Sequence, residues 1–447
     1  MIPRSPESIT VAFVALGCPK NVVDSEIMLA RIVQAGMLIT TQSEHADVIV
    51  INTCGFIAPA KAEALEEIKH AVEYKRNGRT KKVVVAGCLS ERLGRQLFSQ
   101  AQGIDAIVGL ACRDEIAAII SKTLASDQPA AYLEPKHLSS ADDRTRLRIT
   151  PDHWAYLRVS EGCDHRCSFC TIPAIRGRLR SKPPSLILSE AAELVSAGAV
   201  ELNVIGQDIT SYGRDFGEKD ALPKLLHELE QTPRLRWIRL LYLFPAAISD
   251  RLIQTIKASE KIVSYVDMPI QHINNDILTR MRRPDNKERI CSLIEKLRSA
   301  IPDVVLRTTL IVGFPGETER QFKELVEFAR WAKFDALGCF KFYREEGTPA
   351  ALMHDQVPEH IKDQRLEELM LTQQRVAFAA NEKRIGGTLM CLVDSVTADN
   401  TAKGRFYGQA PQIDSICLIE NCTARPGRFL SVKVSAAKDY DLIVRPV

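Results

Sequence analysis

The chain has 447 residues, 45% of them hydrophobic and 26% charged, which are ordinary values for globular proteins. This length exceeds what one hydrophobic core usually supports, so we expect several domains. A net charge of +3 does not indicate a dedicated nucleic-acid binder, because such proteins carry a strong basic excess. No stretch approaches the roughly 18 apolar residues of a membrane span, and the amino-terminal apolar run is too short for a signal peptide. We therefore expect a cytoplasmic protein without a membrane partner.

Residues 1–125 alternate between apolar, β-branched runs and helical patterns. The runs occupy 11–17, 47–53, 82–87 and 105–110, and the helical patterns occupy about 22–35, 58–75 and 90–100. This alternation is typical of a doubly wound parallel sheet in an α/β domain. Residues 126–153 are polar and without periodicity, and we interpret them as a linker.

The alternation resumes with longer helices over residues 154–382. Six β-α units are expected there, and they fit a partial (β/α)6 barrel of the TIM type whose functional face lies at the carboxyl ends of its strands. An open doubly wound sheet is the alternative. Residues 383–447 contain short strand-like pieces separated by Gly, Pro, Asn and Asp, which predicts a small all-β barrel.

Three cysteines follow the first strand of the predicted barrel at the spacing C-x3-C-x2-C: Cys163, Cys167 and Cys170. Three thiolates within eight residues can hold a cubane iron-sulfur cluster by three irons and leave the fourth iron open, whereas electron-transfer clusters use four cysteines. An open iron is a site for a reaction. A zinc knuckle completed by His165 is the structural alternative, although the spacing differs from that of zinc ribbons.

A second, dispersed set of cysteines follows the first three strands of the amino-terminal domain. Cys18, Cys54 and Cys88 each come directly after one strand. Ligands of open parallel sheets collect outside the carboxyl ends of the strands, so three such thiols can reach one small object. The alternative is that they are buried packing residues, because free cysteine is often buried. Packing is the preferred interpretation for the other six cysteines, Cys112, Cys291, Cys339, Cys391, Cys417 and Cys422.

The cysteine motifs resemble those of a known family. The spacing at 163–170 is similar to the signature of radical S-adenosylmethionine (SAM) enzymes, and together with GCPKN, NTC and AGC around the first three cysteines it resembles the methylthiotransferases over essentially the whole chain. The segments CPKNVVDSE, YVDMPIQHI, RTTLIVGFPGETE and GRFYGQAPQID are similar to the branch that modifies small-subunit ribosomal protein S-twelve. Relatives that modify tRNA typically have CQMN where this chain has CPKN.

The resemblance implies two [4Fe-4S] clusters and SAM as cofactors. Cys163, Cys167 and Cys170 would ligate the cluster that cleaves SAM, and Cys18, Cys54 and Cys88 would ligate a second cluster that presents sulfur. The implied reaction adds a methylthio group to the β-carbon of an aspartate of ribosomal protein S-twelve. A flavodoxin-type electron donor and a monomeric enzyme are expected, and the carboxyl-terminal barrel would be a TRAM-like domain that helps to bind the substrate.

Candidate SAM contacts lie at or near strand ends of the predicted barrel: Gln207, Asp208, Arg307, Thr309, Gly313 and Gly316. The first two follow the second barrel strand, the next two share one face of the fifth, and the glycines would let the backbone approach an adenine or a ribose. A routine salt bridge or loop hydrogen bond explains each polar candidate equally well. His272 is better explained as a structurally satisfied histidine than as an acid or base.

Two alternative functions remain open at this stage. The nearer one is the same methylthiolation on a tRNA adenosine; Phe406 and Tyr407 would then stack on bases, although aromatic residues of strands usually belong to a core. We expect tRNA less than the ribosomal protein because of the CPKN motif. The more distant alternative is a non-catalytic iron-sulfur electron carrier, which would need four-cysteine ligation.

Overall fold

The computed structural model describes residues 9–78, 80–133, 142–397 and 400–447. These residues form two compact units. Unit 1 comprises Met1–Ile149, Glu161–His165 and Thr171–Lys182, and unit 2 comprises Thr150–Ser160, Arg166–Cys170 and Pro183–Val447. The boundary between the units thus passes through the C-x3-C-x2-C motif. Within the described ranges, no helix is both long and apolar enough to cross a membrane.

A parallel sheet forms the centre of unit 1. Its strands are β1 (Thr10–Ala15), β2 (Leu38–Thr40), β3 (Val48–Thr53), β4 (Lys82–Gly87), β5 (Ala106–Val108) and β6 (Ala130–Tyr132). The helices of the same segment are α1 (Pro19–Gln34), α2 (Ala58–Asn77), α3 (Cys88–Leu93), α4 (Leu97–Gln100) and α5 (Ile116–Leu124). The strand order is β2-β1-β3-β4-β5-β6, and all neighbouring pairs are parallel.

The central strands of this sheet are mainly apolar because both faces are covered. Val48 and Val50 of β3 contribute to one hydrophobic core, and Ile49 and Ile51 contribute to the core on the opposite face. Alternate side chains of a strand point to opposite faces, so continuous apolar runs are required. The predicted doubly wound sheet is confirmed, with one correction: part of the expected linker over 126–153 forms β6. The sequence AAY of this short edge strand lacks the β-branched apolar run that marks the predicted strands.

The chain continues through eight further strands and eight further helices. The strands are β7 (Trp154–Arg158), β8 (Ser160–Glu161), β9 (Arg180–Ser181), β10 (Glu201–Ile205), β11 (Trp237–Leu240), β12 (Ile262–Asp267), β13 (Val305–Val312) and β14 (Ala336–Lys341). The helices are α6 (Ile172–Arg176), α7 (Pro184–Ser196), α8 (Ala221–Glu230), α9 (Asp250–Ala258), α10 (Asn275–Arg280), α11 (Lys287–Ala300), α12 (Glu319–Ala332) and α13 (Glu359–Glu382). Of these elements, α6 and β9 belong to unit 1.

Unit 2 contains the predicted partial barrel. Its six-stranded sheet has the order β14-β13-β12-β11-β10-β7, with all neighbours parallel. The order follows the sequence without a reversal, as in a (β/α) barrel and unlike a doubly wound sheet. Leu202 and Leu306 pack in the hydrophobic core between the outer face of the sheet and the helices. Their neighbours Glu201, Asn203 and Arg307 therefore face the inside, which is polar.

The carboxyl-terminal strands close the predicted small barrel, also within unit 2. They are β15 (Thr388–Val396), β16 (Ala402–Phe406), β17 (Cys417–Ile419), β18 (Phe429–Lys438) and β19 (Asp441–Pro446), closed in the order β15-β16-β17-β19-β18. Buried ion pairs join this barrel to the parallel sheet. Arg405 lies 2.7 Å from a carboxylate oxygen of Glu201 and 2.8 Å from one of Asp394.

Candidate functional site

The three amino-terminal cysteines lie at the ends of neighbouring strands. In the sheet, β3 lies between β1 and β4. Cys18 caps α1 in the turn after β1, Cys54 follows β3 directly, and Cys88 follows β4 and begins α3. The carboxyl ends of parallel strands meet at one edge of a sheet, so all three thiols collect at that edge. The turns pack tightly: a Cβ placed on Gly17 would lie 2.8 Å from Cys54 Cβ and 3.4 Å from its Sγ.

Asn21, the last residue of the CPKN motif, connects these turns through its side-chain amide. Its Nδ2 donates hydrogen bonds to the carbonyl oxygens of Leu16 (2.7 Å) and Thr53 (3.0 Å), which precede Cys18 and Cys54. Its Oδ1 lies 3.9 Å from the Sγ of Cys88. One buried amide therefore contacts all three turns, which explains the need for an Asn at this position.

Positive charge surrounds the thiols. The Arg176 guanidinium, 2% exposed, lies with Nη2 3.2 Å from Cys88 Sγ. Burial raises the pKa of the Cys88 thiol to about 12, although Arg176 opposes this shift. At Cys18, burial also raises the pKa, but Lys20, Arg176 and two backbone N–H groups outweigh burial and hold the pKa below its ordinary value. Burial raises the pKa of Cys54 as well.

Gly87 shows how closely the site is packed, and it provides a test. Its backbone has φ +95° and ψ −157°, a region almost exclusive to glycine, and a Cβ would lie 2.3 Å from Asn52 Oδ1. We expect Gly87→Ala to cost about 1–3 kcal/mol in backbone strain alone and to displace the turn that bears Cys88. After anaerobic reconstitution, iron analysis should find about four fewer irons per chain, the content of one cubane cluster.

Gly36→Ala is the matched control for this substitution. Gly36 also has a positive φ, +81°, but no atom lies within 4 Å of the position of its Cβ. We expect a modest decrease in thermal stability and full iron content. If the Gly87→Ala protein bound as much iron as the Gly36→Ala protein, the close packing around Cys88 would be irrelevant to metal binding.

The C-x3-C-x2-C motif is divided between the two units. In unit 1, the Cys163 backbone N–H donates to the Gly177 carbonyl at 3.1 Å. In unit 2, the Cys170 N–H donates to the Cys167 carbonyl at 3.1 Å, and the Ser168 hydroxyl donates to the Arg280 carbonyl at 2.7 Å. All three thiols are half-buried. The motif is thus an ordered loop anchored by backbone hydrogen bonds.

A second buried arginine accompanies the part of the motif in unit 2. Burial raises the pKa of the Cys167 thiol, and the Arg283 guanidinium opposes the shift through its charge and a hydrogen bond. Arg283 is held by a hydrogen bond of 2.7 Å to the Pro269 carbonyl, and it stacks over the Phe244 ring at 4.1 Å. Both cysteine sets therefore have a fixed cation beside a thiol.

The thiols fit a cluster better than a single metal ion. In the described ranges, no three Cys, His, Asp or Glu side chains are grouped as the ligands of one ion would be. A cubane cluster is larger and binds each thiolate through a different iron. Thiol ligands bind metals as anions, and the adjacent arginines favour that charge.

Comparisons with known proteins assign the chain to a family. Residues 10–109 match the uncharacterized protein family UPF0004, residues 157–329 the radical SAM superfamily, and residues 385–447 the TRAM domain. The ribosomal protein uS12 methylthiotransferase RimO of Geobacter sulfurreducens is 43% identical over 97% of this chain and 97% of its own length. RimO of Clostridioides difficile is 42% identical over 97% and 98%. The chain belongs to the RimO family of ribosomal protein uS12 methylthiotransferases.

The solved structures agree on the fold. The radical SAM methyltransferase TsrM of Kitasatospora setae, whose structure holds cobalamin and a [4Fe-4S] cluster, matches with a TM-score of 0.54 at 14% identity. The match covers 89% of this chain and 77% of TsrM. At this identity the likeness concerns the fold alone, and it extends over most of the RimO-family chain.

Arg307 has two structural partners in unit 2. It is the third residue of β13, near the amino end of that strand, and it faces the inside of the sheet. Its Nη1 lies 2.8 Å from Asp267 Oδ1, and its Nε lies 3.2 Å from Asp414 Oδ1, in a loop of the small barrel. These ion pairs join the sheet to the small barrel, and the contact of Arg307 with SAM stays a prediction.

The two candidate glycines lie close to side chains of unit 2, and their contact with SAM stays a prediction. A Cβ on Gly313 would lie 2.3 Å from Cγ of Lys362, and a Cβ on Gly316 would lie 1.9 Å from Nη1 of Arg280. Both residues have positive φ, +69° and +77°. The space that each glycine leaves is filled by a side chain of the same unit, so their immediate role is structural.

The other candidates lie where their strands predict. Gln207 and Asp208 follow β10, and the Asp208 carboxylate accepts hydrogen bonds from the Thr210 backbone N–H and the Ser211 hydroxyl. Thr309 is half-buried on the inner face of β13, two residues beyond Arg307. Their contact with SAM stays a prediction.

His272 and the two aromatic residues have structural partners. His272 is fully buried, its Nδ1 accepts from the Asn274 backbone N–H at 3.0 Å, and its Nε2 faces Glu317 at 3.5 Å. Phe406 is buried, and the Tyr407 hydroxyl donates to the Asp303 carbonyl at 2.8 Å. The Phe406 ring is therefore unavailable for base stacking, while Tyr407 is half-buried and fixed through its hydroxyl.

Sequence reasoning missed three residues of these sites. Arg176 and Arg283 stand beside cysteines, and the only signal for Arg176 was a basic run directly after the cysteine motif. Asn203 lies on the inner face of β10, fully buried, and neither polar atom of its side chain has a hydrogen-bond partner among the described residues. A buried amide in this state is suited to a bound polar molecule.

Proposed function

We propose that this protein adds a methylthio group to the β-carbon of an aspartate of ribosomal protein uS12 in a radical SAM reaction. The observation that carries this proposal is the edge of the unit 1 sheet, where Cys18, Cys54 and Cys88 collect. This second three-thiol set accompanies a complete radical SAM motif in one chain. SAM cleavage alone needs only one set, so a second one supports a reaction that also handles sulfur.

The two thiol sets would hold two [4Fe-4S] clusters: Cys163, Cys167 and Cys170 one, and Cys18, Cys54 and Cys88 the other. When bound, the clusters and SAM supply the reductive cleavage, the hydrogen abstraction and the sulfur and methyl groups. The cysteines supply anionic ligands and leave one iron of each cluster without a protein thiolate. Arg176 and Arg283 would balance that negative charge.

The chain offers four side chains for SAM. Gln207 and Asp208 follow a barrel strand, while Thr309 and Asn203 face the inner side of the same sheet. Their amide, carboxylate and hydroxyl groups match the amino, carboxylate and ribose groups of SAM. In addition to these four, Arg307 and Gly313 remain proposed SAM contacts, with Asp267, Asp414 and Lys362 as their neighbours in unit 2.

Further partners belong to the same proposal. A flavodoxin-type protein is the proposed electron donor, since the reaction requires single electrons at low potential. We propose that the enzyme acts as a monomer in the cytoplasm, where its substrate is a ribosomal protein. Because Phe406 and Tyr407 are engaged within unit 2, the small barrel is proposed to bind protein and not stacked bases.

The substrate is tested by mass spectrometry in cells with and without the gene. We expect uS12 from gene-containing cells to carry about 46 Da more, one methylthio group in place of hydrogen, and bulk tRNA to be unchanged. A gene encoding Cys54→Ala should fail to restore the added mass. A change in tRNA nucleosides with unmodified uS12 would instead establish the tRNA alternative.

A further inference from the structure

Arg176 has more hydrogen-bond partners than it would need if it only neutralised one thiol. It ends α6 in unit 1, and its Nη2 lies 3.2 Å from Cys88 Sγ, 3.2 Å from Asn21 Oδ1 and 3.0 Å from Asp24 Oδ2. Its Nη1 lies 3.0 Å from Glu161 Oε2. Both ends of the guanidinium fork are therefore fixed, and its orientation toward the sulfur is determined by the protein.

The supporting carboxylate belongs to a buried row of alternating charges. The other oxygen of Asp24 lies 3.1 Å from Arg113 Nη1, which is 3.3 Å from Asp143, and the second oxygen of Asp143 lies 2.6 Å from Lys182 Nζ. All these side chains are buried within unit 1. Such a row holds Arg176 in place, because Asp24 and Asp143 are each shared between two cations.

A fixed cation and an N–H···S hydrogen bond shift the reduction potential of a cluster in a known direction. The reduced form of an iron-sulfur cluster carries one more negative charge than the oxidised form, so both interactions favour the reduced form and raise the reduction potential. Arginine keeps its charge at any relevant pH. The effect is therefore permanent.

We propose that Arg176 is a positioning residue that sets the reduction potential of the cluster bound by Cys18, Cys54 and Cys88. Its hydrogen bond to the Cys88 sulfur keeps this cluster easier to reduce than the thiolates alone would make it. The inference rests on the proposed function, which assigns a cluster to these cysteines. A purely structural role, in which Arg176 only neutralises Asp24 and Glu161, predicts no change in potential.

The test uses the full chain with Cys163, Cys167 and Cys170 changed to Ala, so that only the amino-terminal site takes up iron. After anaerobic reconstitution, the potential is measured by redox titration with detection of the reduced cluster by electron paramagnetic resonance. We expect Arg176→Gln to shift the one-electron equilibrium at least tenfold toward the oxidised form, which corresponds to 59 mV. The potential of the Arg176→Lys protein should lie between those of the parent and of Arg176→Gln, because Lys keeps the charge but lacks the planar guanidinium fork.

Arg113→Gln is the matched control. Arg113 is also buried and binds the same Asp24, and it donates hydrogen bonds to the carboxylates of Asp24, Asp143 and Asp114. We expect less than a threefold shift for this variant. If Arg176→Gln fails to fold, Arg176→Lys and the charge-balanced Asp24→Asn/Arg176→Gln protein decide, and both should have potentials below that of the parent.

The outcomes separate the inference from the proposed function. If the parent protein binds no iron at this site, the cluster assignment fails. If the cluster forms and every folded Arg176 variant keeps the parent potential, the inference is overturned while the proposed function stands. A shift in Arg113→Gln as large as that in Arg176→Gln would also overturn it, since the effect would then come from the whole charge row.

Discussion

Cys163→Ala is expected to abolish release of 5′-deoxyadenosine from SAM, whereas Cys54→Ala is expected to preserve this release and to abolish methylthio insertion. The two residues belong to separate thiol sets, and each substitution leaves only two of three thiolates for its cluster. Chromatography of the nucleoside products measures SAM cleavage, and the mass of uS12 measures insertion. Complete loss of the respective activity is expected, because the chemistry belongs to the cofactor.

Cys291→Ala is the control for this pair. Cys291 lies in α11, half-buried against the core of unit 2 and outside both thiol sets, so both activities should remain. Equal loss of SAM cleavage in Cys163→Ala and Cys54→Ala would refute the division of labour between the two sets.

Arg405→Ala is expected to destabilise unit 2 by about 3–5 kcal/mol, since it leaves buried carboxylates without their cation. Arg405 is buried and binds both Glu201 of the parallel sheet and Asp394 of the small barrel. Urea unfolding followed by tryptophan fluorescence measures this change. All three tryptophans lie in unit 2, and the Trp237 ring packs edge-on against Phe429 of the small barrel at 4.8 Å.

Arg445→Ala is the matched control in the same barrel. Its partner is Glu420, and both side chains are largely accessible to solvent, so the pair should contribute about 0–1 kcal/mol. Similar losses for both variants would mean that the buried network around Arg405 does not stabilise unit 2 through its charges.

The predicted architecture was accurate where the pattern was long. Strands β3 and β4 were recognised because each contains a run of consecutive apolar residues that covers two faces, and the strand order of unit 2 followed from its six β-α units. The edge strands β2 and β6 were missed, because the short segments LIT and AAY lack the longer apolar run that marks a buried strand.

In the candidate site, too, local features could be predicted from the sequence and long-range contacts could not. The six cysteines were singled out from spacing and from their position after strands, which are local properties. The surroundings of the SAM candidates, in contrast, depend on which side chains pack beside their strands. Arg307 is paired with Asp414, 107 residues away, and Gly313 is covered by Lys362 from α13. Neither partner has a signature near the candidate in the sequence.

The sequence by itself determined the fold class and the family and singled out the six candidate cysteines, because periodicity and spacing act over a few residues. Only the tertiary structure decided that β1, β3 and β4 are neighbours, that Asn21 joins their turns, and that Arg176 lies against Cys88. The reason is physical: buried charges and amides must find partners, and sheet order and packing choose those partners from distant parts of the chain.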